Sequence, residues 1–351
     1  MSSSSLFSSL GAALQNFSSP RFSFKVSSPT HRSNPGLDAF EKELAKQLED
    51  LKSTDDRGYL SITWLCQAME VVLSTHASVE AFVPDLQQAL ADGDFKWLDE
   101  YLDDSVKLLD ICRALRDALE EIKNYHVLVE LALHTLEKGA IGDAQLRRSK
   151  NVLLKCMEAL KRKDDDINHL GQRRSKLENC SSMLRRMGEK LNMEDASKGN
   201  FFMVIYAAQV STIFICGVLT SALSFKPRRA FTTISVGGQS AWSFSLTSLQ
   251  QRVKEQIERK KSKGANALLE ELDRTDVAVR ALFDRIEKLL HARVFPLRED
   301  QILDVKQAAM VLRDCSLELH EGLAPLEVHV ADVFKVLIAS RVALLDIYSH
   351  A

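Results

Sequence analysis

The 351-residue chain lacks an excess of charge of either sign: Lys and Arg number 46, Asp and Glu 48, for a formal net charge of −2. Without a basic field, non-specific attraction to nucleic acid has nothing to draw on, so no nucleic-acid partner is expected. The chain also lacks paired cysteines. Cys66, Cys112, Cys156, Cys180, Cys216 and Cys315 are far apart, form no C-x-x-C pair and mostly fall among apolar neighbours. That pattern excludes a disulfide framework or a cysteine zinc site and fits small buried residues in a reducing compartment. Strand signals are nearly absent: only Phe231 to Val236 is dense in β-branched residues, between Pro227 and the Gly237-Gly238 pair, and one short strand makes no sheet. No fixed-period repeat marks a solenoid. Disorder throughout is excluded by an apolar share of 45%, enough for a real core at this length.

The first 37 residues lack acid altogether; they carry twelve serines, and Arg21, Lys25 and Arg32 are their charged side chains. A Ser-rich, acid-free, mildly basic leader fits an organellar transit peptide, and equally a disordered tail. It does not fit a secretory signal, because Ser8, Ser9 and Gly11 break the apolar run Leu6 to Leu14. Residues 1–36 are therefore read as lying outside the fold, with the chloroplast as the expected address and a cytoplasmic or membrane-associated location, including the endoplasmic reticulum, as the alternative.

What is there is helical periodicity. Leu37, Phe40, Leu44, Leu48 and Leu51 recur three or four apart with charged residues between them, an amphipathic helix. Ile62, Leu65, Met69, Val72 and Leu73 continue in kind until Pro84 marks a bend. From Lys96 to about Glu137 the apolar stripe runs without proline or glycine; as a helix this is roughly 60 Å long, so it spans the molecule or bends. Gly139 and Gly142 close it, and Asp143 is placed to cap the next helix, which carries Leu146, Leu153, Cys156 and Leu160. Further stripes run from Ile167 to Leu191, Val253 to Ile257, Leu268 to Leu289, Leu303 to Leu319 and Leu326 to Tyr348. The expected architecture is all-α, long antiparallel helices packed as a bundle: an N-terminal helical region at 37–200, an apolar helix at 201–225, a loop at 226–240 and a C-terminal helical region at 241–351.

Residues 201–225 include no charged side chain. As a helix they reach roughly 37 Å against a hydrocarbon core of about 30 Å, so length permits a membrane span, with the basic flank at Lys226, Arg228 and Arg229 on the cytoplasmic side. Gln209, Ser211, Thr212, Thr220, Ser221 and Ser224 would need partners in lipid. The competing reading, a fully surrounded helix at the centre of a bundle, fits the same pattern and is marginally preferred.

No catalytic constellation emerges. His126, Glu130 and His134, four apart, lie on one side of the long helix and are the single candidate metal set; with no second ligand motif they read better as a polar flank. His76, near its helix end, is placed to meet C-terminal carbonyls. Asp103 and Asp110 stand at i−4 and i+3 from Lys107 and are expected as its exposed partners. Asp164-Asp165-Asp166 lacks the glycine of a calcium loop. Gly237-Gly238 lacks the continuation of a phosphate loop. The basic run Arg259 to Lys263 has no interleaved aromatic and reads as solvated. No cofactor is implied.

Trp64, Ala68-Met69-Glu70, Thr75-His76, Asp85-Leu86 and above all KWLDEYLDDSVKLLDIC from Lys96 to Cys112 resemble the motif of the plant BYPASS family. Weaker likeness continues through FEKELAKQLEDL, SKGNFFMVIYAAQVSTIFICGV and SRVALLDIY, covering most of the body but not the leader. The residues carrying it are Trp64, Met69, Glu70, His76, Lys96, Trp97, Asp99, Tyr101, Asp103, Ser105, Lys107 and Asp110. The resemblance implies a plant helical protein that restrains a root-derived mobile signal in root and shoot development, brings no catalytic residues with it, and includes members with a membrane segment, here at 201–225. The expected function is that of a non-enzymatic regulatory or adaptor protein acting through protein partners; a membrane-anchored scaffold and a metal-binding bundle enzyme are the alternatives.

Overall fold

The computed structural model describes residues 34–52, 58–82, 96–137, 141–161, 169–191, 199–224, 231–238 and 240–350. The leader up to residue 33, Pro84, Asp85-Leu86, Gly139 and the Asp164 to Asp166 run fall outside them. Among the described residues there are nine helices and no strand: α1 Pro35–Lys52, α2 Ile62–Ala81, α3 Lys96–Glu137, α4 Asp143–Lys161, α5 His169–Lys190, α6 Asn200–Leu223, α7 Ala241–Ser262, α8 Glu270–Ala292 and α9 Glu299–His350. The all-α bundle expected from periodicity is what the chain builds.

Two long helices form the frame. α3 and α9 pack side by side, and the pairs Glu137 with Arg313, Lys123 with Glu327 and Ser105 with Arg341 step in opposite directions along the two chains, which makes them antiparallel. The stripes Leu303–Leu319 and Leu326–Tyr348, read separately in the sequence, are one helix of 52 residues that passes through Pro325. Proline there removes one ladder bond, and it is tolerated because the position faces solvent and packing holds both halves. α8 and α2 pack on α9, and α4 bridges α3 and α8. Where α2 crosses α9, a Cβ on Gly322 would come within 3.0 Å of the Ile62 side chain, so the close approach depends on glycine.

The start of α2 and the start of α8 cap each other. Ser61 Oγ accepts the Trp64 N–H at 3.3 Å, the Glu271 carboxylate accepts the Ile62 N–H at 3.0 and 3.1 Å, and Leu60 O accepts the Glu270 N–H at 3.0 Å. Donors that each helix end leaves orphaned are thereby satisfied across 209 residues of sequence. Burial nevertheless raises the Glu271 pKa above the ordinary glutamate range, its hydrogen bonds to backbone N–H groups offsetting only part of the cost. Asp143, by contrast, does not cap α4: it lies in the first turn and binds Arg147 at 2.8 Å, an i to i+4 ion pair competing for the same carboxylate.

α6 runs through the centre, packed by α2, α3 and α5 along its length and touched by α1 and α7. Nineteen of its 24 residues are buried. It is long and apolar enough to cross a membrane, yet in this fold protein surrounds it. Three hydroxyls in and just after the helix are satisfied by its own backbone, Thr212 donating to Ala208 O, Thr220 to Cys216 O and Ser224 to Thr220 O at 2.6–2.7 Å, while the buried Ser211 hydroxyl has no partner among the described residues. The extended segment 231–237 behind it explains why β-branched density produced no sheet. Its ladder partner is one side chain: Gln250 Oε1 accepts the Ile234 N–H at 2.7 Å and Gln250 Nε2 donates to Ile234 O at 3.2 Å.

Candidate functional site

The residues on which the family resemblance was read range from buried through half-buried Trp97 and Lys107 to exposed. Trp64 is buried, its Nε1–H donating to Leu51 O at 2.9 Å and its ring meeting Tyr59 edge-on at 5.6 Å. Met69 and Ser105 are buried as well. Ser105 and the Leu102 carbonyl both take the Arg341 guanidinium, so the KWLDEYLDDSVKLLDIC and SRVALLDIY segments, 236 residues apart, form one joint. Asp99, Asp103 and Asp110 are exposed, and Glu70 reaches His329 at 3.4 Å. Lys107 pairs with neither Asp103 nor Asp110 but with the buried Asp104 at 2.6 Å. Asp104 stands at i−3 and points inward, a geometry that spacing alone permits as readily as the two outward acids.

His76 does not bind terminal carbonyls. It is fully buried between α2 and α6, with Nε2 2.9 Å from Thr212 Oγ1. Because the Thr212 hydroxyl donates to Ala208 O, its oxygen accepts, so the His76 proton sits on Nε2 and Nδ1 is left without a partner. Burial lowers the His76 pKa to about 4, and the ring is neutral at physiological pH.

Trp97 stacks edge-on against Phe202 at 4.7 Å and Phe201 at 5.9 Å, tying the start of α3 to the start of α6. Trp97, Tyr101, Asp104 and Lys107 line a small recess of about 100 Å³ against Phe202 and Tyr206 of α6. Neither Trp97 Nε1 nor the Tyr101 hydroxyl has a hydrogen-bond partner there, and burial holds the Tyr101 phenol well above its ordinary range. The side chain of Lys96 and the pair Asp85-Leu86 lie outside the described residues.

The structure does not bring His126, Glu130 and His134 together as ligands. His126 turns to α9, with Nδ1 2.7 Å from Ser316 Oγ and its ring stacked on His320 at 4.4 Å; burial first and His320 second lower its pKa. Glu130 is exposed, and His134 is exposed beside Glu137 at 3.8 Å. Among the described residues no group of three His, Cys, Asp or Glu is placed to hold a metal ion. The basic run is partly neutralised, Lys260 meeting Glu270 at 2.7 Å and Lys261 meeting Glu258 at 3.4 Å. The cysteines are free, with Cys112, Cys156, Cys180 and Cys216 buried, where desolvation pushes Cys112 up to about 12.

A surface that periodicity did not single out lies along α9. Leu303, Met310 and Leu317, then Ile338 and Leu345, are spaced by sevens and exposed, with Val328 and Val342 beside them. Leu303, assigned in the sequence to a buried stripe, is 64% exposed, because the face of α9 that packs on α2, α3 and α8 carries Val305, Ala308 and Leu312 instead.

The ROH1-like family model, "Protein ROH1-like", matches residues 10–201 and 179–348. Among curated relatives, the Arabidopsis thaliana protein "Protein BPS1, chloroplastic" is 28% identical over 316 residues, 89% of this chain and 83% of its own. "UPF0496 protein 4" of Oryza sativa subsp. japonica is 30% identical over 75% of this chain and 59% of its own length. "Protein ROH1D" of Arabidopsis is 22% identical over 88% of this chain and 87% of its own. No solved structure matches.

Proposed function

The chain belongs to the ROH1-like family, and from that membership we propose that it is a non-enzymatic plant regulatory protein that works by holding a partner protein. The observation that carries this reading is the seven-residue apolar row on α9. A period of seven is the pattern with which one helix lies along another, so the partner chemistry is an amphipathic helix with an apolar stripe of its own. In development, the reading places the chain as a restraint on a mobile signal passing from root to shoot, with the partner belonging to the step that makes or moves that signal. The relative named as chloroplastic and the acid-free leader support a plastid address for residues 37–351 after import.

The test is proximity labelling from the C-terminally tagged full chain in plant cells, repeated with Met310→Glu and Leu317→Glu together. Loss of a reproducible partner in the variant, at unchanged abundance of the chain, supports the reading. Identical partner sets with and without the substitutions would sink it. The second reading, a membrane-anchored scaffold, has the composition of α6 in its favour. It competes with the burial of that helix by protein, and an alkaline wash of isolated membranes separates the two: retention in the pellet favours the scaffold, release favours the adaptor.

A further inference from the structure

A cleft of about 880 Å³ opens between α5, α6 and the 231–237 segment. Its floor is one side of the central helix, where Tyr206, Ile213, Phe214, Gly217 and Ser221 fall together. Gly217 lets the floor sink, since a Cβ there would have Phe231 as its neighbour at 3.8 Å and nothing closer. The outer wall is held in place before any ligand arrives. Gln250 clamps Ile234 through both ends of its amide, Phe231 packs edge-on against Phe214 at 6.2 Å, and the Tyr206 hydroxyl accepts the Gly237 N–H at 3.0 Å.

That last bond has a chemical consequence. With its oxygen occupied as acceptor, the buried Tyr206 phenol still has its own proton to donate, and Tyr206 borders both this cleft and the small recess beside Trp97 and Tyr101. A buried donor beside an apolar floor fits an oxygen acceptor on an otherwise apolar molecule. Charge decides which kind of oxygen. Among the described residues that line the cleft, Arg185 lies 3.7 Å from Glu189 and Glu178 adds a second acid, so that lining carries no net positive charge to draw in a carboxylate or phosphate.

We propose that this cleft binds an uncharged, largely apolar small molecule carrying carbonyl or hydroxyl oxygens, with the Tyr206 hydroxyl as the donor that orients it. The volume is that of sites for ligands of ordinary small-molecule size, roughly 300–1,000 Å³. The site is independent of the α9 surface and lies on a different helix.

The probe is Nile red, neutral, apolar and carbonyl-bearing, titrated into the purified full chain and read by its fluorescence. Saturable binding at one site per chain is expected. Gly217→Leu fills the floor from a helical position that favours leucine over glycine, and it should weaken binding by about tenfold or more while leaving the melting temperature at or above the parent's. Tyr206→Phe should weaken it by about fivefold, the worth of one hydrogen bond. If Gly217→Leu fails to fold, Ser221→Leu on the same face takes its place with the same expectation. Laurate should not compete. Binding that survives both filling variants, or that is abolished instead by Met310→Glu and Leu317→Glu on α9, overturns the proposal; displacement by laurate overturns the uncharged ligand class.

Discussion

α6 and α9 both carry many long apolar side chains, and the fold treats them in opposite ways. α6 has no charged residue and is enclosed along 19 of its 24 positions. α9 alternates apolar and charged residues over 52 positions, buries Val305, Leu312, Leu319, Leu326 and Leu337 on one side and leaves Met310, Leu317 and Val328 in solvent on the other. The difference teaches that apolar content alone does not say where a helix goes. A helix with no polar side must be surrounded, by protein or by lipid, whereas a two-sided helix stays at the boundary and can present an unpaired row to something else.

The largest effect that would test this contrast is a charge placed inside α6. Val210→Lys or Val218→Lys puts an ammonium where exposure is 0%; a loss on the order of 4–5 kcal/mol or more is expected, enough to abolish cooperative folding of the purified chain by circular dichroism. A parent-like melt for either variant would mean that the face is not enclosed by protein. Next is the pH dependence set by His76 where it meets α6. The unfolded ring takes a proton near 6.5, the folded one only near 4. Its contribution to stability is therefore complete above about pH 6.5 and is lost as pH falls towards 4, a total of about 3 kcal/mol. Denaturant midpoints measured at pH 7, 5.5 and 4.5 should track that loss, and His76→Leu should flatten the pH 4–6.5 part of the profile relative to the parent.

On the α9 side the effects shrink. Arg341→Ala frees the Leu102 carbonyl and Ser105 Oγ, for a cost of about 1–3 kcal/mol at the joint between the two motif segments; a chemical melt unchanged within error would show the joint to be incidental. Smallest of all is Leu317→Ser, in the exposed row. It should shift stability by no more than about 0.5 kcal/mol and yet reduce recovery of a partner, a separation that no interior residue of α6 can show.

Much of the fold was legible because helical periodicity is local. The stripe from Lys96 to Glu137 contains no proline or glycine, and α3 has those ends. The apolar segment became α6 within two residues at either end. What local pattern could not carry was direction. Asp103, Asp104 and Asp110 are all within one helical turn of Lys107, and only packing turned Asp104 inward to meet it. His76 and His126 looked like terminal and metal-flanking residues, but their partners Thr212 and Ser316 lie 136 and 190 residues away. The β-branched run at Phe231 to Val236 has the composition of a strand and the company of one glutamine. Among the functional features, the cleft over Gly217 had no signal beyond a glycine in an apolar run.

By itself the sequence determined that the body is helical, that its charges balance, that residues 201–225 must be enclosed, and which family it resembles. Those properties follow from side-chain type and spacing along one chain, which fix what each segment needs. The tertiary structure decided what met each need. It enclosed α6 with α2, α3 and α5, passed one helix through Pro325, joined the two motif segments through Arg341 and left a cleft and an apolar row open. The physical reason is that burial and hydrogen bonding are satisfied by whichever groups packing brings within a few ångströms, and proximity across hundreds of residues is a property of the fold rather than of the spacing.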